Sequence, residues 1–217
     1  MKILGSGIID PEELLTRHDA NAAYQRSSGL HLSDIYKSLM QTIEPKRFDK
    51  RDADGNPLPM DMTRIEAGSA FETILERGLA ERHQGLIRPG EIDFAGVCAS
   101  PDGLDLETDP MRLLEYKATW MSVGPGIDDK KFWHWWVQIK GYLHMLNQAY
   151  GCECYAARLI AFFVRGHYKY EPAPVPGFAD PLPDGPLLLY FDREFSPRDL
   201  QENWQMLMNH AKSRGML

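Results

Sequence analysis

Three side chains in the middle of the sequence have the types and spacing for hydrolytic chemistry: Asp102 in SPDGLD, and Glu115 and Lys117 in LLEYKATW. Successive side chains on a strand alternate between faces, so Glu115 and Lys117 point one way and Tyr116 the other. By themselves an acid and an ammonium two residues apart are an ordinary surface ion pair. Asp102 changes that reading. It ends the preceding strand beside Gly103, where the chain can bend. If the two strands pair through a turn at Thr108-Asp109-Pro110, its carboxylate approaches that of Glu115. Two converging carboxylates are costly unless a cation joins them. Oxygen ligands suit a hard divalent ion, Mg²⁺ or Mn²⁺, rather than zinc. A lysine beside such an ion can orient a metal-bound water and stabilise negative charge developing on a phosphate. The expected chemistry is hydrolysis of a phosphodiester.

The elements that must hold these residues can be read from periodicity. Asp10-Pro11 marks a helix start. Ser33 opens a second helix in HLSDIYKSLMQTI, with Ile35, Leu39 and Ile43 on one face. Residues 45–62 are polar and broken by Gly and Pro, as in a loop or exposed hairpin. A helix follows in TRIEAGSAFETILERGLAERHQG, where Ile65, Phe71, Ile74, Leu75 and Leu79 form an apolar face. EIDFAGVCASPDGLDLE and RLLEYKATW read as an antiparallel hairpin. The Gly/Pro loop 121–129 is placed to close over a substrate. It leads into the helix KKFWHWWVQIKGYLHMLNQAY, whose apolar stripe is Trp136, Ile139, Leu143 and Leu146. ARLIAFFVRGHYKY and LLLYFDREFS are strands on either side of a Pro-rich loop. Ser196-Pro197 caps a last helix reaching about Asn209. The predicted fold class is α/β: a mixed sheet with the 102–120 hairpin at its centre and helices on both sides.

Pro101-Asp102, twelve intervening residues, then Glu115-Tyr116-Lys117 resembles the signature of the PD-(D/E)xK nuclease superfamily. Two flanking helices narrow the resemblance. Gly68-Ser-Ala-Phe-Glu72 is similar to the G-x-x-x-E helix of the lambda-exonuclease/YqaJ and RecB-like branches. Gln138-Ile-Lys-Gly-Tyr142 is similar to the Q-x-x-x-Y element of RecB-like nucleases, its two named side chains sharing a helix face. The resemblance implies a restriction-endonuclease-like core. It implies Asp102, Glu115, Glu72 and the Tyr116 carbonyl as metal ligands, Lys117 as the residue that positions water, and Gln138 and Tyr142 as groups that orient Lys117 or touch the DNA backbone. It also implies a Mg²⁺-dependent deoxyribonuclease, Mn²⁺ being able to substitute, that acts as an exonuclease on linear duplex DNA in recombination or repair, often in phages and bacteria. The alternatives are an endonuclease of the same superfamily, a non-catalytic nucleic-acid-binding or assembly module, and a carboxylate-pair hydrolase of a small substrate or glycan, which would need neither lysine nor divalent metal. Without a four-cysteine set, no iron–sulfur cluster is expected.

Other groups have ordinary readings. Asp93, Asp105 and Glu107 are expected to be surface charges. Glu66 lies on another helix face from Glu72. The segment Asp52-Ala-Asp54-Gly55-Asn56 fails as a calcium loop, because Pro57 stands where glycine is needed and Thr63 where a terminal glutamate is needed. The seven histidines show no zinc-like pairing, and only His134 is close enough in sequence to line the site. Lys46, Arg47, Lys50 and Arg51, with Lys130, Lys131 and Lys140, are candidate phosphate contacts. Trp135 is a candidate for base stacking, although core packing is its commoner use.

Composition sets outer limits. With 217 residues, 43% hydrophobic and 11% aromatic, the chain can bury one good core. A single nuclease domain over 1–217 is expected: a helical N-terminal part and loop to 62, a catalytic core over 63–170, and a Pro-rich loop, strand and helix from 171. A net charge of −7 argues against a general polyanion binder, yet clustered metal-binding carboxylates supply acidity of their own. Cys98, Cys152 and Cys154 do not form a disulfide framework, and no apolar run approaches a membrane span or a signal peptide. A cytoplasmic protein of a bacterial or phage-infected cell is expected. Its expected partners are DNA, copies of itself and a single-strand annealing or recombination protein, with no membrane partner.

Overall fold

The computed structural model describes residues 2–8, 28–48, 68, 70–75, 77–78, 85–123, 129–166 and 185–217. The strands are β1 (Lys2–Ile8), β2 (Leu86–Ile87), β3 (Ile92–Phe94), β4 (Val97–Ala99), β5 (Gly103–Asp105), β6 (Arg112–Thr119), β7 (Ala156–Phe163) and β8 (Leu187–Glu194). The helices are α1 (Leu32–Ile43), α2 (Pro45–Phe48), α3 (described residues 68, 70–75, 77 and 78), α4 (Asp129–Tyr150) and α5 (Pro197–Ser213). Six strands form one mixed sheet in the order β1-β8-β7-β6-β5-β2. Among the described strands of this sheet only β6 and β7 run parallel, and α4 is the crossover that parallel pairing requires.

Strand alternation divides the core. On β7, Ala157, Leu159, Ala161 and Phe163 face a layer that includes Leu32 and Ile35 of α1, Ile139 and Leu143 of α4, and Leu207 of α5. Ile160 and Phe162 face the other way, onto Leu75 and Phe71 of α3 together with Leu114 and Tyr116 of β6. This α/β arrangement, helices on both faces of a mixed sheet, matches the predicted class. Glu115 and Lys117, in register with Leu159 and Ala161, therefore enter the α1/α4 layer.

Several elements form for local reasons. Leu32, Ile35, Tyr36, Leu39 and Met40 are the buried stripe of α1. His31, not Ser33, is its N-cap, and Ile43 is exposed, because the stripe turns out of the layer in the last turn. Ser196 closes a capping box with Asp199, Pro197 following at the first helical position. Such a cap stabilises a helix by about 1 kcal/mol. At Gly166 (φ +50°) a Cβ would stand 1.6 Å from the Gly185 carbonyl oxygen, so the turn after β7 accepts no side chain.

Two expectations are corrected, and one strand goes beyond them. β6 and β7 form the middle of the sheet, and β5 lies next to the edge strand β2, so the 102–120 hairpin sits to one side of the centre. The segment before Asp102 is not one strand: residues 92–99 fold back as a separate two-stranded sheet through Ala95 and Gly96, both at positive φ. β1, which the glycines of KILGSGI conceal from pattern reading, adds an edge antiparallel to β8. The helix start at Asp10-Pro11, most of the 45–62 loop, the centre of the 121–129 loop and most of the Pro-rich loop lie outside the described residues. No described helix is long and apolar enough to cross a membrane.

Candidate metal centre and the cleft beside it

β5 and β6 pair antiparallel with Gly103 opposite Leu114, so the next step of the ladder brings Asp102 opposite Glu115. There the main-chain pattern ends. The Tyr116 N–H donates to Asp102 Oδ2 at 2.7 Å, the carboxylate taking the place of a strand carbonyl. Glu115 is buried, with 2% of its surface exposed, and its Oε1 is ion-paired with the Lys117 ammonium. Its other oxygen, Oε2, is buried without a hydrogen-bond partner among the described residues. An orphaned carboxylate oxygen is expensive to bury. A second carboxylate beside it makes a divalent cation the natural complement.

The electrostatics agree with that reading. Burial, and then the Asp102 charge, hold the Glu115 carboxyl well above the usual carboxylate range; Lys117 opposes the rise and Glu72 adds to it. For Lys117, burial alone would lower the ammonium. The charges of Glu115, Asp102 and Glu72 more than offset burial and hold its pKa above the ordinary value. Lys117 is thus a fixed cation with 19% of its side chain still exposed. Glu72 of α3 acts on the same pair through its charge. Oxygen donors around a retained cation fit Mg²⁺ or Mn²⁺ in type.

Gln138 and Tyr142, one turn apart on α4, are both buried, and Gln138 Nε2 donates to the Tyr142 hydroxyl at 2.7 Å. Burial first, and then the Glu115 charge, raise the Tyr142 phenol, which stays protonated. The six side chains singled out in the sequence (Asp102, Glu115, Lys117, Glu72, Gln138 and Tyr142) thus come into one neighbourhood. Tyr116 contributes main chain there, while its side chain is buried in the opposite layer.

The basic and aromatic candidates separate. Arg47 pairs with Glu44 at 3.1 Å and reaches Met121 Sδ; Arg47 and Met121 both line a cleft at the ends of β6 and β7. Lys140 does not belong there: its acidic neighbours are Asp199 and Glu202 of α5, because its position on α4 faces that helix. Trp135 is 6% exposed and stacks on Phe132 with ring centroids 4.7 Å apart, a core role that leaves only an edge for the cleft wall. The side chains of Lys46, Lys130 and Lys131, and all of Lys50, Arg51 and Glu66, lie outside the described residues. Glu107, exposed, accepts the Gly85 N–H at 2.9 Å.

The cleft, about 470 Å³, opens at the ends of β6 and β7; Arg47, Phe48, Trp120, His134, Phe162 and Arg165 are among its walls. His134 is 4% exposed, and its Nδ1 has no hydrogen-bond partner among the described residues. Burial, and then the positive charge of Arg47, push it down to about 3, so it is neutral at physiological pH. Motif reading passed over Tyr36 of α1, 8% exposed, whose hydroxyl lies in the field of Lys117 and Glu115. It also passed over Arg165. Tyr36 carried only the signal of an apolar helix stripe, and Arg165 that of a strand-end charge.

A scan against protein-family models finds no match for this chain, and a comparison with curated proteins finds none either. What can be said of function therefore rests on the site. It combines a buried and a half-buried carboxylate with a fixed lysine, and a cleft at the ends of β6 and β7 carries both arginine and aromatic walls.

Proposed function

We propose that this chain is a metal-dependent deoxyribonuclease with a restriction-endonuclease-like core, acting as an exonuclease on linear duplex DNA. The observation that carries the reading is the buried Glu115 Oε2, without a partner among the described residues, beside Asp102 and Lys117. Asp102, Glu115 and Glu72, with the Tyr116 carbonyl, would hold Mg²⁺. When bound, the ion would supply Lewis acidity toward a phosphate oxygen and lower the pKa of water. Lys117, fixed by its pairing with Glu115, orients the attacking water and offsets charge building on the phosphate. Gln138 and Tyr142 brace the α4 side of the site. His134, neutral, offers the cleft a hydrogen bond rather than a charge. Arg47 and Arg165 meet phosphates along the cleft, and Phe48 and Trp120 supply apolar surface on which a base can rest.

The test is incubation of the protein with linear and covalently closed duplex DNA, in Mg²⁺ or in EDTA, beside the Glu115→Gln variant. Degradation of the linear form alone, lost in EDTA and in the variant, is the expected result. Cleavage of closed circles would move the reading to an endonuclease. No cleavage of any DNA with Mg²⁺ or Mn²⁺ would leave a binding module that keeps the site without the activity.

A further inference from the structure

The described residues hold a second group of metal-ligating side chains, away from the carboxylate centre. His31 at the start of α1, Glu91 just before β3, and Cys98 in β4 each bring one ligand atom to within 4.8 Å of the others. His31 and Cys98 are buried and Glu91 is half-buried. The main chain fixes two of the three. His31 and Cys98 form a parallel bridge, and the Cys98 N–H donates to the Leu30 carbonyl at 2.8 Å. His31 sits at a helix N-cap yet makes no side-chain cap hydrogen bond; its Nε2 lies 3.9 Å from Glu91 Oε1. Across the β3–β4 pair, Asp93 Oδ1 accepts the Cys98 thiol hydrogen at 2.8 Å.

We propose that His31, Glu91 and Cys98 supply three ligands of a structural zinc site. The donor set is the argument for the metal: one imidazole nitrogen, one sulfur and carboxylate oxygen suit a borderline ion, whereas Mg²⁺ takes oxygen alone. Charge agrees, because a Cys98 thiolate and a Glu91 carboxylate neutralise a divalent ion in a largely buried place. Binding releases the Cys98 thiol proton to solvent and involves no change of oxidation state. Zinc bonds of about 2.0–2.3 Å set tetrahedral ligand atoms about 3.3–3.8 Å apart. Binding therefore requires the present separations, which reach no more than 4.8 Å, to close to that range. The site would add to packing that already holds the β3–β4 hairpin, whose Ile92, Val97 and Ala99 are buried in the main core. β3 and β4 stand outside the main sheet as a two-stranded hairpin of three residues a side, too short to be stable alone. Zinc would pin the hairpin to α1, the helix that brings Tyr36 to the carboxylate centre.

This proposal is independent of the nuclease reading, and its test uses no DNA. The full-length protein, stripped with chelator, is titrated with Zn²⁺ and separately with Co²⁺, and metal content and the near-ultraviolet spectrum are recorded. One Zn²⁺ per chain, a raised thermal midpoint on binding, and a thiolate-to-cobalt charge-transfer band are expected. The band is lost in Cys98→Ser and in His31→Gln and kept in Asp102→Asn, which separates this site from the carboxylate centre. Wild-type protein that takes up Co²⁺ without a thiolate band, or fails to bind Zn²⁺ stoichiometrically, overturns the proposal, whether or not the variants fold. A band unchanged in Cys98→Ser does so as well.

Discussion

The Asp102 carboxylate accepts the main-chain N–H of Tyr116 at 2.7 Å, one step beyond the Gly103–Leu114 pair of the β5–β6 ladder. A side chain here does the work of a strand carbonyl, which ties the position of one acid to the strand that carries the other acid and the lysine. Charge and anchoring can be separated by substitution. Asp102→Asn keeps an oxygen that accepts the Tyr116 N–H and removes the charge. Metal-dependent cleavage should be abolished while the unfolding free energy in urea stays within about 1 kcal/mol of wild type. Asp102→Ala also strands the Tyr116 amide and should cost a further 1–3 kcal/mol or so. An Asp102→Asn protein that still cleaves in Mg²⁺ would remove Asp102 from the ligand set.

Lys117 is the cation that makes the buried Glu115 tolerable before any metal arrives. Lys117→Met preserves the length of the side chain and deletes the charge. Single-turnover cleavage should fall on the order of 100- to 1000-fold, the usual loss when one donor to a developing anion is removed, with DNA binding in Ca²⁺ little changed. In EDTA the variant should be less stable than wild type, because the buried ion pair is lost and Glu115, already held above the usual carboxylate range, can stay buried only by keeping a proton. Mg²⁺ should recover part of that loss. Equal thermal midpoints with and without Mg²⁺ in the variant would argue that no cation binds beside Glu115.

How far the sequence could be read followed the range of the interactions. Glu115 and Lys117 lie on one strand, and Gln138 and Tyr142 on one helix, so local periodicity was enough to orient each pair. The Ser196 cap of α5 is equally local. Asp102 required a register, and the turn residues before Arg112 set it. Sites assembled from distant segments gave no such signal. His31, Glu91 and Cys98 are scattered along the sequence, and they meet only because a main-chain bridge ties β4 to the start of α1. Tyr36 reaches the centre from α1, whose stripe reads as core. Lys140 shows the opposite error: basic and close in sequence to Gln138, it turns toward Asp199 and Glu202.

Arg47 and Arg165 line the cleft at the ends of β6 and β7. If DNA phosphates lie there, each arginine releases about one counterion on binding, and each removal should flatten the plot of log Kd against log salt by about 1. Arg47→Ala and Arg165→Ala should therefore weaken DNA binding most at low salt, in Ca²⁺ to prevent cleavage. Lys140→Ala, on the α5 side, should leave the slope unchanged. A slope change for Lys140 and none for either arginine would place the DNA path elsewhere.

His134 gives the fold a pH dependence of predictable sign. Its ordinary pKa is 6.5, and burial holds it at about 3 in the folded chain. The folded state therefore binds fewer protons than the unfolded state between those values. The contribution of neutral His134 is complete above 6.5 and is lost as the pH falls toward 3. The slope approaches about 1.4 kcal/mol per pH unit once the unfolded imidazole is mostly protonated. Glu115, raised rather than lowered, works in the opposite sense, so the wild-type curve alone does not isolate the histidine. The comparison that does is His134→Phe, which fills the same buried position beside Phe48 without a titrating group. Urea unfolding in EDTA at pH 7, 6 and 5 should show wild type losing about 1 kcal/mol more than the variant over the last unit. Parallel curves would mean that the folded imidazole takes up a proton as readily as the unfolded one. The neutral hydrogen-bonding role of His134 in the cleft would then have to be abandoned.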